Sequence, residues 1–134
     1  MHDTAHPTPA WRWFNESRFG VFIQWGPASV HGRGEQVLLQ EQLDQKSYAK
    51  AACRWNPKKF DPEFWAGAAR EAGFRFSVLT ARSPDGYCLW ETATTDYSAA
   101  AQAPRRDLFA AYVRAFRDAG LRVDEQAGLA DGRQ

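Results

Sequence analysis

Residues 19–25, FGVFIQW, decide the fold class of this chain. The segment is apolar almost throughout, and it lies between Arg18 on one side and Gly26 and Pro27 on the other. A short apolar run between such breakers predicts a β-strand, and its near-continuous apolarity predicts burial on both faces. Strands of this kind are typical of parallel sheets that helices cover on both sides. We therefore expect an α/β protein.

Two further strands are predicted downstream of the first. Residues 74–80, FRFSVLT, form the second, with a polar loop beginning at Ala81, and residues 121–123, LRV, start the third. The stretch 124–128, DEQAG, cannot fill a buried strand without leaving charges unpaired, so we expect the third strand to stop at Val123. The order strand, helix, strand, helix, strand indicates βαβ units and a parallel sheet.

Three helices are predicted, and each begins at an aspartate, a residue type that caps helix N-termini. The three aspartates are Asp44, Asp61 and Asp107. In the second helix one apolar stripe is expected, formed by Phe64, Trp65, Ala68, Ala69 and Ala72. Gly73 and Gly120 are expected to end the second and third helices. Residues 28–43 are polar and contain glycine, which indicates a long loop, and such loops are often functional.

Composition excludes several classes of function. The 134 residues carry 17 basic and 16 acidic side chains, a net charge of +1, so we expect neither nucleic acid nor a membrane as a partner. The first residues lack the pattern of a signal peptide, which predicts a cytoplasmic location. Two cysteines and three scattered histidines predict no disulfide framework, no metal site and no other cofactor.

Several motifs occur along the chain in a fixed order. They are residues 18–27 (RFGVFIQWGP), 32–35 (GRGE), 56–57 (NP), 60–61 (FD), 79–81 (LTA), 85–90 (DGYCLW), 95–97 (TDY) and 106–107 (RD). In order and spacing, these motifs resemble glycoside hydrolase family 29, the α-L-fucosidases. The resemblance runs from about Trp11 to Val123.

This resemblance implies a (β/α)8 barrel of the TIM type, usually of about 250 residues or more, with its chemistry at the carboxyl ends of the strands. We therefore expect an incomplete barrel of two to three βα units in residues 1–123 and a divergent or truncated tail in residues 124–134. The family is retaining, with a carboxylate nucleophile and a second carboxyl group as acid and base, about 5 Å apart. The resemblance implies that both lie on later strands, so we expect no catalytic residue here and no activity from the chain alone.

Six residues are implied as substrate contacts: Gln24, Trp25, Glu35, Gln36, Ser83 and Trp90. Glu35 is implied to contact a sugar hydroxyl. The family typically has His where this chain has Gln24, Ser83 and Pro84, and usually Trp where it has Gln36. Gln24 can still donate and accept hydrogen bonds, and Ser83 can do so at short reach, whereas Pro84 cannot.

Some of these residues have an equally simple structural interpretation. Asp85 either shapes its loop, as the resemblance implies, or only starts the turn before Gly86, and the turn is favoured. Trp25 and Trp90 either face the substrate or anchor packing. The remaining tryptophans are interpreted as packing residues: Trp11, Trp13, Trp55 and Trp65.

Four interpretations of the whole chain remain open. It is a fucosidase fragment without turnover, a non-catalytic carbohydrate-binding or interaction module, one half of a split barrel that needs a complementing polypeptide, or a degraded gene product. The expected ligand is a fucosylated glycoside or oligosaccharide. Uncovered strand edges and helix faces also predict marginal stability or self-association of the isolated chain.

Overall fold

The sheet of this protein has three parallel strands. A computed structural model describes residues 9–127, except for the side chains of residues 9–11, 14 and 125–127. The strands are β1 (Gly20–Ile23), β2 (Phe76–Arg82) and β3 (Arg122–Ala127), and their order in the sheet is β1-β2-β3. Parallel pairing aligns Gly20 with Phe76 and Phe76 with Arg122. The prediction of an α/β protein with a parallel sheet is confirmed.

Helices precede β1 and connect the strands. They are α1 (Pro9–Ser17), α2 (Val37–Gln40), α3 (Gln45–Ala52), α4 (Pro62–Glu71) and α5 (Leu108–Asp118). The three predicted helices correspond to α3, α4 and α5. Neither α1 nor α2 was predicted, and a 3-10 turn spans Pro27–Val30. The interpretation of residues 28–43 as an irregular loop was therefore wrong in part, because two short helical segments lie within it.

Side-chain caps begin the three predicted helices. Each capping carboxylate accepts a hydrogen bond from the backbone amide three residues later, at 2.8 Å for Asp44, 2.9 Å for Asp61 and 2.7 Å for Asp107. Gly73 and Gly120 follow α4 and α5 with φ of 88° and 83°, a left-handed conformation that ends helices. The predicted starts and stops of these helices are confirmed.

The core lies between the sheet and the helices α4 and α5. Leu79 of β2 and Phe116 of α5 are fully buried in it. Ser77 is also buried, and its hydroxyl forms a 2.5 Å hydrogen bond with the hydroxyl of Tyr112 in α5. This bond satisfies two polar groups that would otherwise be costly to bury.

One prediction about burial was wrong and a second was wrong in part. Phe22 is 64% exposed, so β1 is not buried on both faces. In α4 the buried residues are Pro62, Ala66 and Ala69, whereas Phe64, Ala68 and Ala72 of the predicted stripe are exposed. The helix turns small alanines inward, which allows it to approach its neighbours closely, and Trp65 packs edge-on against the Phe60 ring.

The bounds of two strands also differ from prediction. β3 continues past Val123 to Ala127, because it is an outer strand of the described sheet and Asp124 stays exposed instead of being buried. β2 continues past Thr80 to Arg82, with a register shift between them. Residues 128–134 lie outside the described range, so the division of the chain at residue 123 stays a prediction. None of the described helices combines the length with the apolar character that a membrane span requires.

Candidate substrate cavity

A cavity of about 230 Å³ lies where β1 and β2 end. Gln24 directly follows β1 and Ser83 directly follows β2, and parallel pairing brings the carboxyl ends of these strands to one edge of the sheet. The lining residues are Gln24, Trp25, Gly26, Ala28, Ser29, Gly32, Gly34, Glu35 and Ser83. Four of the six predicted substrate contacts therefore meet in one cavity.

A hydrogen bond joins Gln24, the residue directly after β1, to Glu35 in the loop that follows. The Nε2 atom of Gln24 donates to Oε1 of Glu35 at 3.1 Å. Since an ionised carboxylate can only accept, the amide nitrogen of Gln24 must face Glu35. One further N–H of Gln24 and its carbonyl oxygen stay available, as does the second carboxylate oxygen of Glu35.

An ion pair closes the loop that carries Glu35. Arg33 donates to both carboxylate oxygens of Glu41, from Nε at 2.5 Å and from Nη2 at 2.8 Å. This hydrogen bonding lowers the pKa of Glu41. Gly32 and Gly34, on either side of Arg33, have φ of 64° and 100°, which favours glycine at both positions. The ion pair thus holds residues 33 and 41, on either side of α2, close together.

Asp85 accepts hydrogen bonds from three donors. Oδ1 accepts from the Ser83 hydroxyl at 2.6 Å and from the Tyr87 amide at 2.9 Å, and Oδ2 accepts from the hydroxyl of Tyr48 in α3. Gly86 follows with φ of 85°, so the predicted turn is confirmed. That prediction was incomplete, however, because Asp85 also binds a cavity residue and ties its loop to a helix.

Tyr48 connects three segments around the cavity. Besides its bond to Asp85, its ring stacks on that of His31 with centroids 5.3 Å apart. Burial, and next the hydrogen bond to Asp85, raises the pKa of Tyr48 well above its usual value. Burial, and next the charge of Asp85, also raises the pKa of Tyr87 and of Tyr97. These phenols therefore stay protonated at neutral pH, so Tyr48 can donate to the carboxylate.

Trp25 both packs and lines the cavity. Its ring stacks on Phe60 at 4.9 Å and meets the rings of Trp55 and Trp65 edge-on at 4.8 Å and 5.3 Å. Trp55 and Trp65 thus pack as predicted, and the Trp13 ring contacts the Phe76 ring at 5.7 Å. The side chain of Trp11 lies outside the described residues. Only part of the Trp25 surface is left for a ligand.

Two predicted contacts do not line this cavity. Gln36 is exposed just before α2 and accepts a 3.3 Å hydrogen bond from Gln40. Trp90 is half-buried in the loop after β2 and is not among the residues that line the cavity. A role for Gln36 or Trp90 in substrate contact stays a prediction.

Two polar side chains at or beside the cavity, those of Ser29 and Tyr48, are not among the predicted contacts. Ser29 lines the cavity from the 3-10 turn, and no local pattern marks it. Tyr48 lies 37 positions before Asp85, so their contact depends on the tertiary fold. Within residues 9–127, no group of three His, Cys, Asp or Glu side chains is placed to hold a metal ion.

The amino-acid sequence matches a known protein family. The model of the α-L-fucosidase family matches residues 2–132. Tissue α-L-fucosidase of Rattus norvegicus is 31% identical over 87% of this chain, and that of Homo sapiens is 30% identical over 88%. The chain spans only 31% and 28% of those two proteins.

Solved structures give the same relationship. α-L-Fucosidase isoenzyme 1 from Paenibacillus thiaminolyticus superposes with a TM-score of 0.82 and 42% identity, over 85% of this chain and 27% of that one. A family 29 α-L-fucosidase from Bacteroides thetaiotaomicron gives a TM-score of 0.87 at 29% identity, over 92% of this chain and 30% of that one. The chain belongs to the α-L-fucosidase family, glycoside hydrolase family 29.

Proposed function

We propose that this chain forms the first part of the catalytic barrel of an α-L-fucosidase-like retaining glycoside hydrolase, and that its cavity holds part of a fucosylated substrate. The observation that carries the proposal is the meeting of Gln24, Trp25, Glu35 and Ser83 at the carboxyl ends of β1 and β2. In barrels of this type the substrate binds at that end of the strands. The chain spans about 30% of its solved relatives, which supports an incomplete barrel.

The cavity has the chemistry that a sugar requires. Sugar hydroxyls need donors and acceptors in fixed directions, which Gln24, Glu35 and Ser83 supply. The exposed part of Trp25 offers an apolar surface to the C–H groups of a sugar ring. Related enzymes were solved with an iminocyclitol inhibitor and as a trapped covalent intermediate with 2-fluoro-fucosyl fluoride. A covalent intermediate in that relative supports retaining chemistry in this family.

The chain is proposed to lack both catalytic carboxyl groups. Glu35 is the only carboxylic acid among the described residues that line the cavity, and Gln24 already binds it. Both oxygens of Asp85 are engaged by donors, so it is unsuited to attack or to protonate a substrate. Retaining hydrolysis needs two carboxyl groups across the bond, about 5 Å apart. Residues outside this chain are proposed to supply them.

A binding experiment tests the role of the cavity. Methyl α-L-fucoside is titrated against the isotopically labelled chain, and amide shifts near Gln24, Glu35 and Ser83 are followed by NMR. Glu35→Ala is expected to weaken binding by about tenfold to 150-fold, since a hydrogen bond to a charged group contributes roughly 1.5–3 kcal/mol. Glu71→Ala, at the exposed end of α4, is the matched control and should bind as the parent does. If the Glu35→Ala variant bound the fucoside as tightly as the parent, the proposed role of the cavity in binding would be wrong.

The second proposal is that a separate polypeptide completes the barrel, and the two uncovered surfaces of β1 favour it. Phe22 is 64% exposed on one face. On the other face, an apolar groove is lined by Val21, Ile23, Trp65, Ala68, Ala69, Phe74 and Phe116. We propose that the remainder of a barrel covers both surfaces.

Mixing experiments separate this proposal from a non-catalytic binding module. The chain is combined with the Paenibacillus thiaminolyticus enzyme lacking its matching segment, and hydrolysis of a chromogenic α-L-fucoside is measured. Complementation predicts activity in the mixture and none from either part. Fucoside binding without activity in any mixture would favour the binding module.

A further inference from the structure

We propose that Ser83 is a specificity-determining residue that presents only a hydrogen-bond acceptor to the cavity, and that Asp85 is the positioning residue that holds it so. The inference rests on the proposed function, because it concerns how the same cavity selects a sugar. It identifies the ligand chemistry that the cavity takes: a ring hydroxyl that donates its proton to Ser83.

The proton of Ser83 is directed away from the cavity. A serine hydroxyl has one proton, and an ionised carboxylate has none to offer in return. The 2.6 Å distance from Ser83 Oγ to Asp85 Oδ1 is typical of a charge-assisted O–H···O bond. Ser83 therefore donates to Asp85, and the lone pairs of its oxygen are left to accept from a ligand.

The oxygen of Ser83 lies beside the cavity wall. Ser83 is only 6% exposed, and its side chain lines the cavity together with Gly26. A β-carbon built on Gly26 would lie 3.8 Å from Ser83 Oγ, which places this oxygen next to a wall residue. Because the buried hydroxyl can adopt few orientations, its bond to Asp85 keeps the proton away from the cavity. A ligand therefore contacts Ser83 Oγ as a hydrogen-bond acceptor.

Asp85 is itself held in place from two other sides. The hydroxyl of Tyr48 and the amide of Tyr87 both donate to its carboxylate. Rotation of the carboxylate away from Ser83 would break these bonds as well. Asp85 acts on the ligand through Ser83, which is why we describe it as a positioning residue.

The other polar groups of the cavity favour the same ligand. Gln24 already donates one N–H to Glu35, and the Glu35 carboxylate can only accept. Together with Ser83, these side chains present more acceptors than donors. A ligand with hydroxyl groups satisfies them, whereas one with fluorine or hydrogen at the same ring position supplies no proton.

The test compares three classes of ligand on the intact 134-residue chain. Methyl α-L-fucoside is titrated by NMR beside its monodeoxy and monodeoxyfluoro analogues at ring positions 2, 3 and 4. At one position, both analogues should bind about fivefold more weakly, the scale of one lost hydrogen bond. Fluorine can still accept weakly, so a Ser83 that donated would leave the fluoro analogue clearly tighter than the deoxy analogue.

Two serine variants complete the experiment. Ser83→Ala should remove the difference between the hydroxyl ligand and its two analogues at that position, whereas Ser47→Ala, at an exposed position of α3 outside the cavity lining, should keep it. A fluoro analogue that binds tighter than the deoxy analogue at every position where the deoxy analogue binds more weakly than methyl α-L-fucoside, or discrimination that survives Ser83→Ala, would overturn the inference alone. Absence of fucoside binding to the parent would overturn both the inference and the proposed function. Glu35 lines the same cavity and also accepts, so Glu35→Ala identifies the ring position that Glu35 contacts. Equal weakening by both analogues at a position that Glu35→Ala leaves unchanged tests Ser83 even if Ser83→Ala does not fold.

Discussion

At Gly20 the backbone of β1 passes close to the ring of Phe76 in the neighbouring strand. A β-carbon at this position would lie 2.2 Å from two atoms of that ring. Phe22 and Trp13 also meet the Phe76 ring edge-on, so it has little room to move. The glycine is required by this close approach between adjacent strands.

Gly20→Ala is expected to lower the free energy of unfolding by about 1–3 kcal/mol, the usual cost of overpacking. Gly67→Ala in α4 is the control, because no atom lies within 4 Å of its added β-carbon. The control should gain about 0.5–1 kcal/mol from helix propensity. Urea denaturation of both variants measures the difference, and equal stability of Gly20→Ala and the parent would refute the packing described at Phe76.

Tyr112 makes the protein sensitive to alkali. Burial raises its pKa from 10.0 to about 12, so folding favours the neutral phenol. A group whose pKa is raised by folding contributes stability that is present below the unfolded pKa and lost as pH rises through the folded pKa. Stability should therefore fall between about pH 10 and pH 12.

Tyr112→Phe tests this dependence. At pH 7 the free energy of unfolding of the variant should be about 1–2 kcal/mol lower than that of the parent, because the buried hydroxyl of Ser77 loses its partner. Between pH 10 and pH 12 the stability of the variant should fall less than that of the parent, since phenylalanine does not ionise. Chemical denaturation at a series of pH values gives both quantities. A parallel decline of the two proteins would show that other groups control alkaline unfolding.

The family resemblance, and not local sequence, implied Gln24, Glu35 and Ser83 as substrate contacts. What the strand order adds is that the loops after two parallel strands meet at one edge of the sheet, which brings these side chains together. Tyr48 could not be found in this way, since its contact with Asp85 depends on how α3 packs against a distant loop.

Among the helices, α5 depends most on its capping residue. Asp107 accepts from the Ala110 amide through Oδ1 and from the Glu91 amide through Oδ2. It therefore caps the helix and anchors the loop before it. Asp61 caps α4 with a single bond to the Phe64 amide.

Asp107→Ala is expected to destabilise the protein by about 2 kcal/mol, and Asp61→Ala by about 1 kcal/mol, the typical loss for one cap. Thermal unfolding followed by circular dichroism compares the two variants directly. Amide exchange should also rise at Glu91 in the first variant only. Equal destabilisation would mean that the bond to Glu91 adds nothing.

The sequence predicts which segments form helices and strands better than it predicts which of their residues are buried. Aspartate caps and glycine stops marked α3, α4 and α5 because these signals are local. The end of β3 was misjudged because the charge of Asp124 was taken to require burial, whereas an outer strand leaves it exposed. Likewise, periodicity predicts the apolar stripe of α4 correctly at Ala69 and misses Ala66, because the face of the helix that packs on the core is turned away from Phe64, Ala68 and Ala72.

For the whole molecule, the uncovered sides of β1 predict self-association. Phe22 and Phe19 are 64% and 52% exposed. β1 also has no strand on its outer side in the described sheet, and open edges and apolar patches promote association. Light scattering on the purified chain should show oligomers whose size grows with concentration.

Phe22→Lys should shift this equilibrium towards the monomer, because a charge on the exposed face opposes association. Lys58→Arg is a neutral surface control and should associate as the parent does. A cooperative thermal transition from a parent chain that stays monomeric at high concentration would contradict the prediction.

The central claim is that the described cavity contributes to fucoside binding while the carboxyl groups for cleavage come from elsewhere. Release of nitrophenol from p-nitrophenyl α-L-fucoside by the purified 134-residue polypeptide tests it most directly. We expect no release above the buffer rate. Turnover at an enzyme-like rate, abolished by Glu35→Gln or by Asp85→Asn, would contradict it.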